Sequence, residues 1–263
     1  MVKIGPDDPP PVETINPDGA AAVLLVCDHA SAAVPACLDH LGIALDQFER
    51  HIAYDIGAAG VTRHLSRDLD APAVLAGYSR LVIDLNRPPG HPQSIPEVSD
   101  GTVIPGNNNL AEDAGQARVA ALFDPYHEAV NQGLAHLWRR GTPAVGTPPA
   151  LFSIHSFSPG YGDEDRPWDA GVLWNRDPRI ARPLIEKLEA LGLHVGDNLP
   201  YSGRELAYTL NLHGAAAGLA NCVIEINQDQ VMDSQGIERW AGILAGVMKE
   251  ILQLDGLHEV REF

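Results

Sequence analysis

Short apolar runs and longer amphipathic stretches take turns along this chain. AVLLVC (22–27) is a continuous apolar run of buried-strand length, and 44–69 repeats apolar residues at helical spacing through Leu45, Phe48, Ile52, Ala59 and Leu65. APAVLAG (71–77) and RLVIDL (80–85) read as two further strands. The stretch 88–109, rich in Pro, Gly and Asn, predicts a long loop, and loops of that length inside a domain commonly serve function. Residues 110–140 predict helix with a break at Pro125. ALFSIHS (150–156), GVLWN (171–175) and ANCVIEIN (220–227) continue the series of strands. A helix over 178–192 presents Ile180, Leu184, Leu188 and Leu191 on one face, and Trp240, Ile243, Leu244, Val247 and Ile251 mark a terminal helix. Residues 1–20 carry five prolines and predict an extended lead-in, leaving 21–263 as one domain. Such alternation predicts a single α/β domain whose largely parallel sheet is covered by helices. Ligand sites in these sheets lie beyond the carboxyl ends of strands.

Composition narrows the range of functions. With 263 residues, 45% hydrophobic and 20% charged, the chain can bury a large core and is not of the disordered class. Its 35 acidic and 18 basic residues give a formal charge of −17, so neither nucleic acid nor an anionic membrane surface is an expected partner. The first twenty residues lack a basic start and an apolar core, and no apolar run approaches the roughly 18 residues of a membrane span, so a cytoplasmic location is expected. Cys27, Cys37 and Cys222 have no metal-site or redox spacing and read as reduced thiols.

Polar residues at the ends of apolar runs carry the candidate chemistry. AVLLVC leads directly into Asp28 and His29, and ALFSIHS delivers His155 and Ser156. Two imidazoles emerging from two strand ends can converge on one metal ion, or each can be a locally hydrogen-bonded core histidine. Asp55 shares the predicted helical face of Phe48 and Ile52, where a carboxylate needs a counter-charge, a backbone cap or a metal. Two histidines and a carboxylate make the three-ligand set of a catalytic zinc. Asp28, beside His29, competes with Asp55 for the third position. Arg80, Asn86 and Arg87 bracket RLVIDL and predict a positive pocket for a small anionic substrate, unless Asp84 takes up an arginine as a structural pair. Glu225, between Ile224 and Ile226, alternates onto the face of Val223, and burial there would raise its pKa toward the range of a general base; a pair with Arg80 or Arg87 is the structural alternative. His213 in YTLNLHG is a second candidate for proton transfer. Neither a P-loop, a dinucleotide-binding glycine motif nor a G-x-S-x-G elbow is present.

VCDHAS (26–31), SRLVIDLNRP (79–88), IHSF (154–157), PYSG…YTLNLHG (200–214) and IEIN (224–227) together resemble the N-formylglutamate amidohydrolase family, with matching order over about residues 22–235. The chain departs from it at Asp28, where the most similar subgroup usually has Glu. The resemblance implies a mixed-sheet fold similar to zinc carboxypeptidases and metal-dependent hydrolysis of the formyl amide of N-formylglutamate. It also implies a Zn2+ held by His29, His155 and Asp55, substrate carboxylates bound by Asn86 and Arg87, and Glu225 as the catalytic carboxylate; Arg80 and Ser156 are expected beside the substrate from the residue pattern itself. The rival expectations are a noncatalytic binder of small dicarboxylates and a zinc hydrolase of other N-acyl amino acids or peptides.

Overall fold

The computed structural model describes residues 2–140, 146–161 and 164–263. Seven strands form the main sheet: β1 Val12–Ile15, β2 Val23–Cys27, β3 Ala73–Ala76, β4 Ala150–Phe157, β5 Ala170–Leu173, β6 Val195–Asp197 and β7 Asn221–Asn227. Their spatial order is β1-β3-β2-β4-β7-β5-β6. The central four, β3, β2, β4 and β7, are mutually parallel, whereas β1 and β5 join antiparallel, so the sheet is mixed and largely parallel.

The buried strands show why continuous apolar runs are needed here. In β2, Val23, Leu25 and Cys27 pack on one side of the sheet while Leu24 and Val26 pack on the other. The first side is covered by α1 Ala58–Leu69, through Val61 and Leu65, and by the terminal helix, through Trp240, Leu244 and Met248. On the second side lies a long helical passage in which α2 Glu112–Arg118 runs through a π turn, Val119–Phe123, into α3 Asp124–Arg140, packing Tyr126, Val130 and Leu134 inward. Pro125, lacking an N–H, sits in the first turn of α3, so the expected break is a π turn within one helical run. After it come α4 Ala181–Ala190, the short α5 Gly203–Leu206 and α6 Tyr208–His213, and α7 Ser234–Ile251 is the terminal helix. Among the described residues no helix is long and apolar enough to cross a membrane.

Three sequence expectations differ from this arrangement. The run 80–85 is buried but is not a strand: the Leu81 and Val82 carbonyls accept from the Asn107 amide and the buried Arg118 guanidinium, so its backbone is satisfied without a ladder. Apolarity alone does not distinguish the two. The helix expected over 44–69 begins only at Ala58, because Gly57 has φ +79° and stands so close to Val231 that a Cβ there would lie 2.3 Å from the Val231 carbonyl oxygen. Asp55 therefore precedes the helix. The lead-in also contributes β1, which adds an edge strand against β3.

Candidate active site

β2, β4 and β7 end side by side, and each apolar run gives way to polar residues. β2 hands over to Asp28 and His29; β4 carries His155, which pairs in parallel register with Glu225 of β7. Alternation puts Ser153 and His155 on one face and Phe152 and Ile154 in the core beneath the other, so the same pleat that builds the core aims the imidazole at the site. Asp55 is drawn in from a separate loop: its backbone N–H donates to the His29 carbonyl at 3.0 Å.

The side chains converge on the Asp55 carboxylate. Its Oδ2 lies 2.7 Å from His155 Nδ1 and 3.3 Å from His29 Nδ1, and the two rings meet edge to face at 4.9 Å. Behind each ring stands another carboxylate. His29 Nε2 faces Asp84 Oδ1 at 2.9 Å, and His155 Nε2 faces Asp28 Oδ2 at 3.1 Å. Asp28 also accepts from the Tyr126 hydroxyl at 2.7 Å and the Thr209 hydroxyl at 2.9 Å, while Asp84 accepts from Arg80 at 2.7 Å and from the Asn86 backbone N–H.

Burial and charge oppose each other at these groups. Burial disfavours the imidazolium of His155, but Asp28 and Asp55 outweigh it and hold the ring well above its usual value. His29 is raised too, against burial and Arg80, by Asp84 and Asp55. Burial raises Asp55 and Asp84, yet the histidines hold Asp55, and Arg80 with His29 holds Asp84, below the ordinary carboxylate range. Glu225 differs. Burial, reinforced by Asp55, pushes its carboxyl up to about 7, with His155, His29 and Arg80 pulling the other way.

The donor set suits a metal ion. Ligand atoms of His29, Asp55 and His155 all lie within 4.8 Å of one another, and all three residues are buried. A carboxylate behind each imidazole can keep a proton on that side of the ring, so that a metal ion taking the place of the proton between ring and Asp55 would meet a free nitrogen on each histidine. Asp28 reaches His155 from behind, on the ring nitrogen turned away from Asp55, which separates the positions of the two candidate carboxylates.

A cavity of about 380 Å3 opens over this cluster, lined among others by Arg80, Asn86, Arg87, Ser156, Arg166, Tyr201 and Glu225. Several expected substrate binders turn out to be engaged with the protein. Arg80 faces Asp84 and, at 3.5 Å, Asp55, so its charge answers two carboxylates of the site. The Asn86 amide joins the Leu206 carbonyl to the Thr209 N–H, and the Ser156 hydroxyl donates to the Ile56 carbonyl. Arg87 donates to its neighbour's carbonyl and to Gln93, both uncharged. His213 lies elsewhere: it ends α6, and its Nε2 contacts His127 Nδ1 at 2.8 Å in a buried pair that is not part of the cavity lining. Residues 88–109, expected as loop, include a hairpin pairing Val98–Ser99 with Thr102–Val103, and Val98, Ser99 and Asp100 reach the cavity wall. Tyr126, Thr209, Arg166 and Tyr201 had no periodic signal, since each matters through a partner distant in sequence. The one readable cue was a buried acid next to a strand-end histidine, which calls for nearby donors.

The profile of the N-formylglutamate amidohydrolase family matches residues 21–232. Among solved structures, a gene product from Agrobacterium tumefaciens is 36% identical, with a TM-score of 0.86 over 92% of this chain and 94% of that one. The N-formylglutamate amidohydrolase from Ralstonia eutropha JMP134 shares the fold at 17% identity, with a TM-score of 0.69 over 92% of this chain and 97% of the other. No curated protein matches the chain. The family match spans most of the sequence and contains every residue of the cluster, and the chain belongs to the N-formylglutamate amidohydrolase family, whose reaction is amide hydrolysis.

Proposed function

We propose that the chain is a zinc-dependent amidohydrolase that cleaves the N-formyl, or a similarly small N-acyl, amide of an acidic amino acid, N-formyl-L-glutamate foremost. One observation carries the reading: two imidazoles turn one nitrogen each toward a shared Asp55 oxygen, and a separate carboxylate stands behind each ring. His29, Asp55 and His155 would hold the ion, which when bound supplies a Lewis acid for the scissile carbonyl and makes water easier to deprotonate. Glu225, beside His155 and near neutrality in its titration, takes a proton from the attacking water and delivers it to the leaving nitrogen. The C–N bond breaks, water's oxygen ends in formate, and the amine leaves as glutamate. Asp28 and Asp84 keep the imidazoles oriented, and Arg87 receives a substrate carboxylate. An intracellular site of action is part of the proposal.

A panel of N-formyl, N-acetyl and N-succinyl amino acids, run with and without a chelator, tests this. Hydrolysis of the N-formyl dicarboxylates that stops on chelation and returns with zinc is expected. Chelator-resistant turnover would remove the metal, and tight binding of glutamate with no turnover of any member would favour a noncatalytic binder.

A further inference from the structure

A substrate with two carboxylates needs more than one cationic contact, and the cavity wall suggests where the second lies. Three arginines line the cavity, and Arg80 faces Asp84 and Asp55. Arg87 enters beside Asp84, whose carboxylate feels its charge. Arg166 enters from the segment after β4, only 4% exposed, and donates to the Tyr201 hydroxyl at 2.7 Å with its guanidinium 4.9 Å from the centre of that ring. Tyr201 lines the same cavity; burial raises its hydroxyl most and Glu225 raises it further, while Arg166 and Arg80 lower it. Two arginines from separate segments thus reach the same cavity, one beside Asp84 and one held on Tyr201.

We propose that Arg166 and Tyr201 form a second carboxylate seat, distinct from the one at Arg87, and that this seat gives the enzyme its preference for a dicarboxylic N-acyl amino acid over the monocarboxylic analogue. The inference rests on the hydrolase reading and adds to it the residues that select the substrate's side chain. An arginine stacked on an aromatic ring has its planar fork held in place, so little freedom is lost when a carboxylate docks. The tyrosine hydroxyl, accepting from Arg166, keeps its own hydrogen to offer to the same anion.

The test compares N-formyl-L-glutamate with N-formyl-L-glutamine, which keeps the shape and the α-carboxylate and removes the side-chain charge. Zinc-loaded wild-type protein is expected to prefer the glutamate derivative in kcat/KM by at least about 30-fold, the scale of a buried charge contact. Arg166→Gln should shrink that ratio at least about tenfold by acting mainly on the glutamate derivative, Tyr201→Phe should shrink it less, and Arg87→Gln should weaken both substrates and leave the ratio near its wild-type value. If Arg166→Gln lowers both substrates equally, or if wild type does not discriminate, the seat is wrong while the hydrolase stands. If Arg166→Gln fails to fold, the fall in ratio is read from Arg166→Lys and Tyr201→Phe. Should zinc-loaded wild type cleave neither compound, the hydrolase reading fails, and calorimetry with glutarate and its monoamide decides the seat: tighter glutarate binding that Arg166→Lys or Tyr201→Phe weakens supports it, and equal or undetectable binding of the two overturns it.

Discussion

Two histidine pairs are buried in this molecule to nearly the same depth, and they behave in opposite ways. His29 and His155 are 3% and 2% exposed; His127 and His213 are 6% and 5%. Burial disfavours a charged ring in both places. Around His29 and His155 stand three carboxylates, Asp28, Asp55 and Asp84, and both rings are held above their ordinary value. Around His127 and His213 stand the Leu85 carbonyl and the Asn131 amide, and both rings are lowered, His213 to about 4. A buried histidine is therefore not itself a sign of chemistry. The acids gathered around the first pair set it apart, because their mutual repulsion is answered by Arg80 and the charged rings, or by a metal ion in place of the rings' protons.

Substitutions at each pair and its neighbours probe this contrast. The largest effect is expected at Glu225, where replacement by Gln keeps the size of the side chain and removes the base; kcat should fall by about 10²–10⁴ while bound zinc and melting temperature hold. A folded, zinc-loaded Glu225→Gln enzyme turning over at the wild-type rate would end that assignment. Next comes the acid behind His155: Asp28→Asn should weaken zinc affinity or activity by roughly 10–100-fold, the scale of losses behind metal-binding histidines. Competition with a zinc indicator measures it, and unchanged affinity would reduce Asp28 to packing.

For the second pair the expected signature is stability. His213 has its proton affinity lowered from an ordinary 6.5 to about 4 in the folded chain, so between those pH values the unfolded chain holds more protons. Its contribution thus destabilises the fold as pH drops below 6.5, approaching about 3 kcal/mol near pH 4. Denaturant unfolding of wild type and His213→Gln across pH 4–7 isolates this part, since the variant should show the shallower decline; parallel curves would contradict it. The smallest effect is on metal, where His213→Gln should leave bound zinc unchanged.

Much of this site could be read from the order of residues, but not for uniform reasons. His29 and His155 were visible because continuous apolar runs specify buried parallel strands, and their ends specify where a ligand meets the sheet. Asp55 was expected in the right company for a different reason: it reaches the cluster through a loop tied to the His29 carbonyl, not along a helical face. RLVIDL misled because buried turns and buried strands share the same apolarity, and only the distant Arg118 and Asn107 reveal how its carbonyls are satisfied. Edge strands β1 and β6, of four and three residues, are too short to show a period. Arg166 and Tyr201 come from irregular segments whose meeting depends on the whole fold.

The proposed metal ligands are His29, Asp55 and His155, and not the other buried pair. Zinc content per chain, measured by mass spectrometry on wild type, His29→Ala, His155→Ala and His213→Ala after zinc loading and dialysis, tests this assignment most directly. Close to one zinc is expected in wild type and in His213→Ala, and far less in His29→Ala and His155→Ala, since a three-ligand site cannot replace a lost bond. A full complement of zinc in both His29→Ala and His155→Ala, or none in wild type, would contradict the assignment.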